Sequence, residues 1–203
     1  MAERYFITGI GTGIGKTLVS AILTEKLKAD YWKPVQSGDL DQSDSLTVKN
    51  LISNAQTQIH PETYRLNHPL SPHLSAKMDG VEIELAKFQL PETSNSLIVE
   101  GAGGLMVPLN KEELILDLII KLGLEVIIVS QNYLGSINHT LLTINTLKQQ
   151  QIPIKGIIFN GEANIESETY ILNYSGLICL GKIPKIDPID KKSVIAAGKN
   201  LLS

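Results

Sequence analysis

The residues with chemical potential are few and lie in short, separated runs. Lys16 and Thr17 close the stretch "FITGIGTGIGKT" (6–17), Lys33 sits in "YWKPVQSG", Asp44 follows Ser43, and Glu100 opens "EGAGG". An apolar strand that turns through Gly9, Gly11, Gly13 and Gly15 into Lys-Thr has the layout of a phosphate-binding loop. Glycines let backbone N–H groups converge on phosphate oxygens, and the helix that follows adds its positive end. Thr12, Gly13, Ile14 and Gly15 would form the cradle, with Leu18 continuing into the helix. Lys16 would reach the β- and γ-phosphates and the Thr17 hydroxyl suits Mg²⁺. Five residues separate Gly9 from Gly15 where four are usual, and Ile14 stands where a dinucleotide fingerprint needs glycine.

The remaining polar residues suggest what is done to the phosphate. Lys33 ends a short second strand, where it is either a solvated strand end or a cation aimed at the same rim as the loop. Asp44 begins a helix, where a carboxylate serves as a cap, a metal ligand or both. Glu100 ends a buried strand before a glycine turn, the position of a Walker-B-like Mg²⁺ ligand. Thr17, Asp44 and Glu100 together would make an oxygen shell suited to Mg²⁺. Gly135 and Ser136 in "YLGSINHT" open a second helix N-terminus, which is either a plain cap or a seat for an anion.

These groups need a frame that brings strand ends together. Apolar, β-branched runs at 4–8, 96–101, 126–130 and 154–160 read as strands buried on both faces. Helical patterns fall at about 16–28, 44–53, 82–89, 112–122, 136–150 and 191–202, the fifth carrying an apolar stripe at Ile137, Leu141, Ile144 and Leu147. The alternation implies an α/β fold, a doubly wound and mainly parallel sheet flanked by helices, with ligands at the carboxyl ends of the strands. The whole chain, 1–203, is expected to form one P-loop domain. Residues 54–80 hold Pro61, Pro69, Pro72 and three of the four histidines, and read as a long functional loop in which only "TYRL" looks like a strand.

Composition narrows the classes. The 203 residues carry 18 Lys plus Arg against 21 Asp plus Glu, a net charge of −3, so no global attraction to nucleic acid or anionic lipid is expected. One cysteine, Cys179, excludes an internal disulfide and reads as a small apolar residue in a buried strand. The start Met-Ala-Glu-Arg runs directly into the first strand, and the apolar clusters are too short to span a bilayer, so a soluble, cytoplasmic protein is expected.

Taken in order, the motifs resemble the dethiobiotin synthetase family. The resemblance rests on "TGIGTGIGKT" (8–17), "KPVQSG" (33–38), "SD" (43–44), "SPHLSA" (71–76), "EGAGG" with Pro108, "LGSINH" (134–139), "FNGE" (159–162) and "LGKIP" (180–184). It implies a cytoplasmic ligase of biotin synthesis that joins 7,8-diaminononanoate, carbon dioxide and ATP into dethiobiotin, ADP and phosphate. By that resemblance Lys16 and Thr17 hold triphosphate and Mg²⁺, and Lys33 bridges carbamate and γ-phosphate. Asp44 and Glu100 complete the metal shell, with the turn Gly101, Ala102 and Gly103 beside the nucleotide. Ser37 contacts the substrate, while Asn160 and the backbone of Pro184, Lys185 and Ile186 recognise adenine. The family is homodimeric, and the backbone of Gly135, Ser136, Ile137 and Asn138 would take the substrate's distal carboxylate at the subunit interface. Gly13 replaces a glutamate common in the family, and "KIPKIDPIDKK" departs from its usual sequence, which leaves nucleotide preference open.

Two other classes share parts of this pattern. A partition-type ATPase switch that docks a protein partner would carry an extra lysine where this chain has Gly11, and a GTPase would carry an Asn-Lys-x-Asp motif that is absent. An amidoligase acting on a larger acid would bring a glutaminase domain with its own cysteine and histidine.

Overall fold

Alternation along β1 (Arg4–Gly9) puts Phe6 on one face of a sheet and Tyr5 and Ile7 on the other, and all three are buried. The computed structural model of the chain describes residues 2–202; Met1 and Ser203, the ends of the expected domain, lie outside them. Seven strands pair in parallel in the order β4-β2-β6-β1-β7-β8-β9. They are β2 (Asp30–Trp32), β4 (Ile59–His60), β6 (Leu97–Glu100), β7 (Glu125–Ser130), β8 (Ile154–Asn160) and β9 (Cys179–Ile183) around β1. A second, two-stranded parallel ribbon joins β3 (Val35–Ser37) to β5 (Tyr64–Leu66).

Helices cover both faces, as continuous apolar strands require. On one side Tyr5, Ile7, Tyr31, Ile98 and Ile127 pack with Val19, Ile22 and Leu23 of α1 (Lys16–Leu27), Val48 of α2 (Asp44–Leu51) and Val194 of α7 (Lys191–Gly198). On the other, Phe6, Trp32, Val99 and Ile128 meet α4 (Ile115–Leu122), α5 (Ser136–Gln149) and α6 (Ile165–Ser175), along with Ala76 of α3 (Pro72–Met78). Fully burying a side chain such as Phe6 is worth about 1.5–3 kcal/mol. Successive strands add to opposite sides of β1, so the loop after β1 lies at the switch point, where such sheets bind ligands.

The elements follow the sequence reading with five corrections. Residues 82–89 form only a 3₁₀ turn, Leu85–Lys87, because buried Ile83 and Phe88 hold the segment extended. Asn110 Nδ2 donates to the Ile83 carbonyl and the Tyr64 hydroxyl accepts from the Glu84 N–H, replacing helical bonds. The helix expected from 112 starts at Ile115, and the one expected to reach 202 ends at Gly198, beyond which buried Leu201 anchors the chain. Residues 54–80 are not one loop: β4, β5 and α3 lie within them, and "TYRL" is the strand expected. Cys179 is half-buried at the start of β9 rather than enclosed.

The edge strand β4 is only two residues long, so its attachment depends on side chains. Asp30 accepts from the Gln58 N–H at 2.9 Å and from Asn95 Nδ2 at 3.0 Å, and its second oxygen lies 3.2 Å from His60 Nε2. Burial alone would raise the Asp30 carboxyl, but the hydrogen bonds from Asn95 and Gln58 outweigh it and hold the group below its usual range. A carboxyl depressed on folding contributes stability above its unfolded pKa and loses it as pH falls through the lower folded value. Asp30→Asn should therefore cost about 1–3 kcal/mol at pH 7, and urea midpoints should show that deficit shrinking between pH 4 and pH 2. A deficit unchanged across that range would show that no proton is linked to Asp30.

Candidate active site

The phosphate loop is shaped by backbone geometry before any side chain acts. Gly15 is the N-cap of α1 in the left-handed region (φ 89°), and no side chain caps the helix, so its first N–H groups face the open cleft. A Cβ on Gly15 would sit 2.1 Å from Asn160 Nδ2, which itself donates to the Ile14 carbonyl at 2.9 Å. Ile14 is buried and fastens the loop to the core, and partly buried Leu18 packs beside it. Lys16 Nζ donates to the Gly11 carbonyl at 2.8 Å.

Strands β2, β6 and β1 lie side by side, and their carboxyl ends bring three distant runs into one cleft of about 630 Å³. Thr12, Gly13, Gly15, Lys16, Thr17, Lys33, Ser37, Asp44, Glu100, Ala102 and Gly103 all line it. Lys33 Nζ is held by Asp44 Oδ2 at 2.6 Å, Glu100 Oε1 at 3.0 Å and the Gly101 carbonyl at 3.1 Å. Burial alone would lower the Lys33 ammonium, but Glu100 and Asp44 override it and hold it above its usual range. Asp44 is held below its own by Lys33, against a burial effect of opposite sign. Lys16 differs: burial, reinforced by the positive charge of Lys33, lowers it to about 8.

The donor set suits a hard divalent cation. Thr17 Oγ1 lies 2.8 Å from Asp44 Oδ1 and 2.9 Å from Glu100 Oε1. One hydroxyl proton serves only one of these oxygens at a time, so three oxygens converge with one contact unserved, and a cation among them would satisfy all three. Among the described residues no cluster of three His, Cys, Asp or Glu side chains could hold a metal by itself. The cap expected at Asp44 belongs to Ser43, whose side chain accepts from the Leu46 N–H, so Asp44 is left free for the cleft.

Two groups of expected residues lie outside this cleft. Asn160, Pro184 and Lys185 line a neighbouring pocket of about 330 Å³, and Ile186 packs beside the α1 core. Gly135, Ser136, Ile137 and Asn138 line a separate pocket of about 760 Å³, where Gly135 (φ 101°) caps α5 with no side-chain bond. The plain-cap alternative for Ser136 is thereby set aside. Sequence reading assigned nothing to Gln36, whose Oε1 accepts from the Asp44 N–H at 3.1 Å while Nε2 donates to the Gly38 carbonyl. It also missed Tyr31, whose hydroxyl donates to Glu100 Oε2 at 2.8 Å; burial and the adjacent carboxylate push that phenol well above its usual range, so it stays a donor. Gln36 lay within a quoted motif, whereas nothing in a strand of aromatics marked Tyr31 as polar.

A family model described as an AAA domain matches residues 3–193. The ATP-dependent dethiobiotin synthetase BioD of Cytophaga hutchinsonii is 53% identical over 195 residues, covering 96% of this chain and 94% of that protein. The chain belongs to the dethiobiotin synthetase family. The family's proteins of the same name from Christiangramia forsetii and Rhodopseudomonas palustris strain TIE-1 are 50% and 44% identical, covering 96% and 97% of this chain and 93% of each relative. Among solved structures, the septum site-determining protein MinD complexed with Mg-ADP from Pyrococcus horikoshii superposes with a TM-score of 0.61 at 16% identity, covering 97% of this chain and 86% of that one. A ParA family ATPase from Chlorobium tepidum gives 0.52 at 15% identity, covering 97% and 89%. At such identities the likeness shows the fold, a P-loop ATPase-type sheet that the dethiobiotin synthetase family shares with partition proteins.

A lysine whose folded pKa is depressed to about 8 is partly neutral above that pH, and phosphate beside it restores the charge. ADP binding to the metal-free protein at pH 8.5 should therefore take up part of a proton, and affinity should fall as pH rises through about 8. Calorimetry in two buffers of different ionisation enthalpy measures the uptake. The same uptake in Lys16→Met would assign the proton to another group.

Proposed function

We propose that this chain is an ATP-dependent dethiobiotin synthetase, closing the ureido ring of dethiobiotin from 7,8-diaminononanoate and carbon dioxide. The observation that carries the reading is the shared cleft. The phosphate loop, the ammonium of Lys33 and the hydroxyl of Ser37 line one cavity in a chain 53% identical to a dethiobiotin synthetase. The partition-ATPase likeness is confined to the fold and brings no support for a switch.

In the reaction, a substrate amine forms a C–N bond to carbon dioxide and loses a proton, leaving a carbamate. A carbamate oxygen attacks the γ-phosphorus and the bond to the β-phosphate oxygen breaks, releasing ADP. The second amine attacks the carbonyl carbon of the resulting carbamic-phosphoric anhydride, loses its proton and expels phosphate. Charge builds on the phosphoryl and carbamate oxygens, and preorganised cations in a water-poor cleft stabilise it most. Lys16 and the open N–H groups of α1 would hold the β- and γ-phosphates. Lys33, already desolvated and rigidly held, would bridge carbamate and γ-phosphate. The Ser37 hydroxyl is buried with no hydrogen-bond partner among the described residues and lines the cleft, which suits it to an amine or carbamate of the substrate. Thr17, Asp44 and Glu100 would hold Mg²⁺, which when bound neutralises phosphate oxygens and the two carboxylates.

The base would lie in the pocket lined by Asn160, Pro184 and Lys185, with Ile186 next in the chain. With its Nδ2 committed to the Ile14 carbonyl, Asn160 has Oδ1 left to accept from an exocyclic amine, the feature adenine offers. A homodimer would bring Gly135–Asn138 of a second copy to the substrate's distal carboxylate. The exposed Leu134, Tyr133 and Tyr170 at that pocket are the apolar surface such a copy would cover.

The test is phosphate release with ATP, Mg²⁺ and bicarbonate, with and without 7,8-diaminononanoate, and the product weighed by mass spectrometry. Diamine-dependent release with dethiobiotin formed is the expected result; release indifferent to the diamine would end the ligase reading. Lys33→Ala should lower turnover on the order of 10²–10³-fold, the scale of one lost transition-state donor. Near-normal turnover would remove Lys33 from the mechanism.

A further inference from the structure

Strand register places a third functional group beside Lys33 and Glu100. In the β2–β6 pair Tyr31 lies opposite Ile98 and Trp32 opposite Val99. Side chains two residues apart share a face, so Tyr31 and Ile98 point with Lys33 and Glu100 toward α1, while Trp32 and Val99 join the opposite core. Tyr31 is diagonal to Glu100 across neighbouring strands, a spacing of roughly 7–8 Å that a long aromatic side chain bridges. The strand holding it is pinned from both sides, by β6 and by β4.

The two oxygens of Glu100 then have separate partners. Oε2 receives the Tyr31 hydroxyl at 2.8 Å, its one hydrogen bond among the described residues. Oε1 lies 2.9 Å from Thr17 Oγ1 and 3.0 Å from Lys33 Nζ. A glutamate carboxylate rotates freely about its last torsion unless something holds it, and Lys33 alone would donate to either oxygen. Tyr31 is wholly buried and does not line the cleft, so it touches neither nucleotide nor substrate.

We propose that Tyr31 is a positioning residue that binds Glu100 Oε2 and so presents Oε1, in one orientation, to Thr17, Lys33 and the divalent cation. The proposal rests on the reading of Glu100 as a metal ligand. Partners that orient a metal-binding side chain are typically worth roughly 10–100-fold in metal affinity.

The experiment measures Mn²⁺ binding to the ADP complex by electron paramagnetic resonance, for the starting protein, Tyr31→Phe, Glu100→Gln and the double variant. Tyr31→Phe should weaken Mn²⁺ roughly 10-fold while leaving ADP affinity in chelator unchanged. In the Glu100→Gln background it should add no further loss. Turnover should fall at saturating diamine with KM for the diamine unaltered. Normal Mn²⁺ affinity in Tyr31→Phe, alongside a loss in Glu100→Gln, would overturn the role of Tyr31 and keep the metal reading. Normal affinity in Glu100→Gln would overturn both. Equal weakening of metal-free ADP binding would show a disturbed loop and overturn positioning. Should Tyr31→Phe fail to fold, Tyr31→His, which retains a ring N–H donor, is compared with Tyr31→Leu. Tighter Mn²⁺ binding by the histidine variant supports the proposal, and equal losses overturn it.

Discussion

The arrangement turns on one buried ammonium. Lys33 is almost completely out of water, and an ion so placed costs several kcal/mol in lost hydration. Three acceptors from two parts of the chain compensate it: Asp44 on α2, Glu100 at the end of β6, and the Gly101 carbonyl just beyond it. Losing both carboxylates together would leave the ammonium as an unpaired buried charge, which is far more costly than a missing contact. The charge cluster therefore ties the start of α2 to the carboxyl ends of β2 and β6, and the geometry that holds the cleft together is the geometry that lines it.

Much of this was legible in the sequence where local pattern and tertiary role agree. The first strand, the glycine turn and α1 are read from residues 4–27 alone, since apolar alternation, left-handed glycine positions and Lys-Thr all point to one structure. Glu100 was legible because a charge ending an apolar run is conspicuous. Residues 82–89 misled because helix formers such as Glu84, Leu85, Ala86 and Lys87 cluster there, while the partners that hold the segment, Asn110 and Tyr64, lie far away in sequence. In 54–80 the strands are two and three residues long, too short for periodicity to register.

Polar partners within apolar strands are the harder case. Tyr31 reads as one more core aromatic beside Trp32, and only the parallel register with Ile98 puts its hydroxyl at Glu100. Gln36 is similar: its side chain acts on the backbone of Asp44, eight residues on, and such bonds leave no trace in composition. The Gly135–Asn138 turn was found from its glycine and helix start, yet its pocket is separate from the phosphate cleft within one chain.

The contact between Gly15 and Asn160 couples two pockets. One residue supplies a missing Cβ and the other the amide that fills its place, from opposite ends of the sequence. A side chain at Gly15 would displace Asn160 from the Ile14 carbonyl, so the loop before α1 and the pocket wall at Asn160 cannot be altered independently.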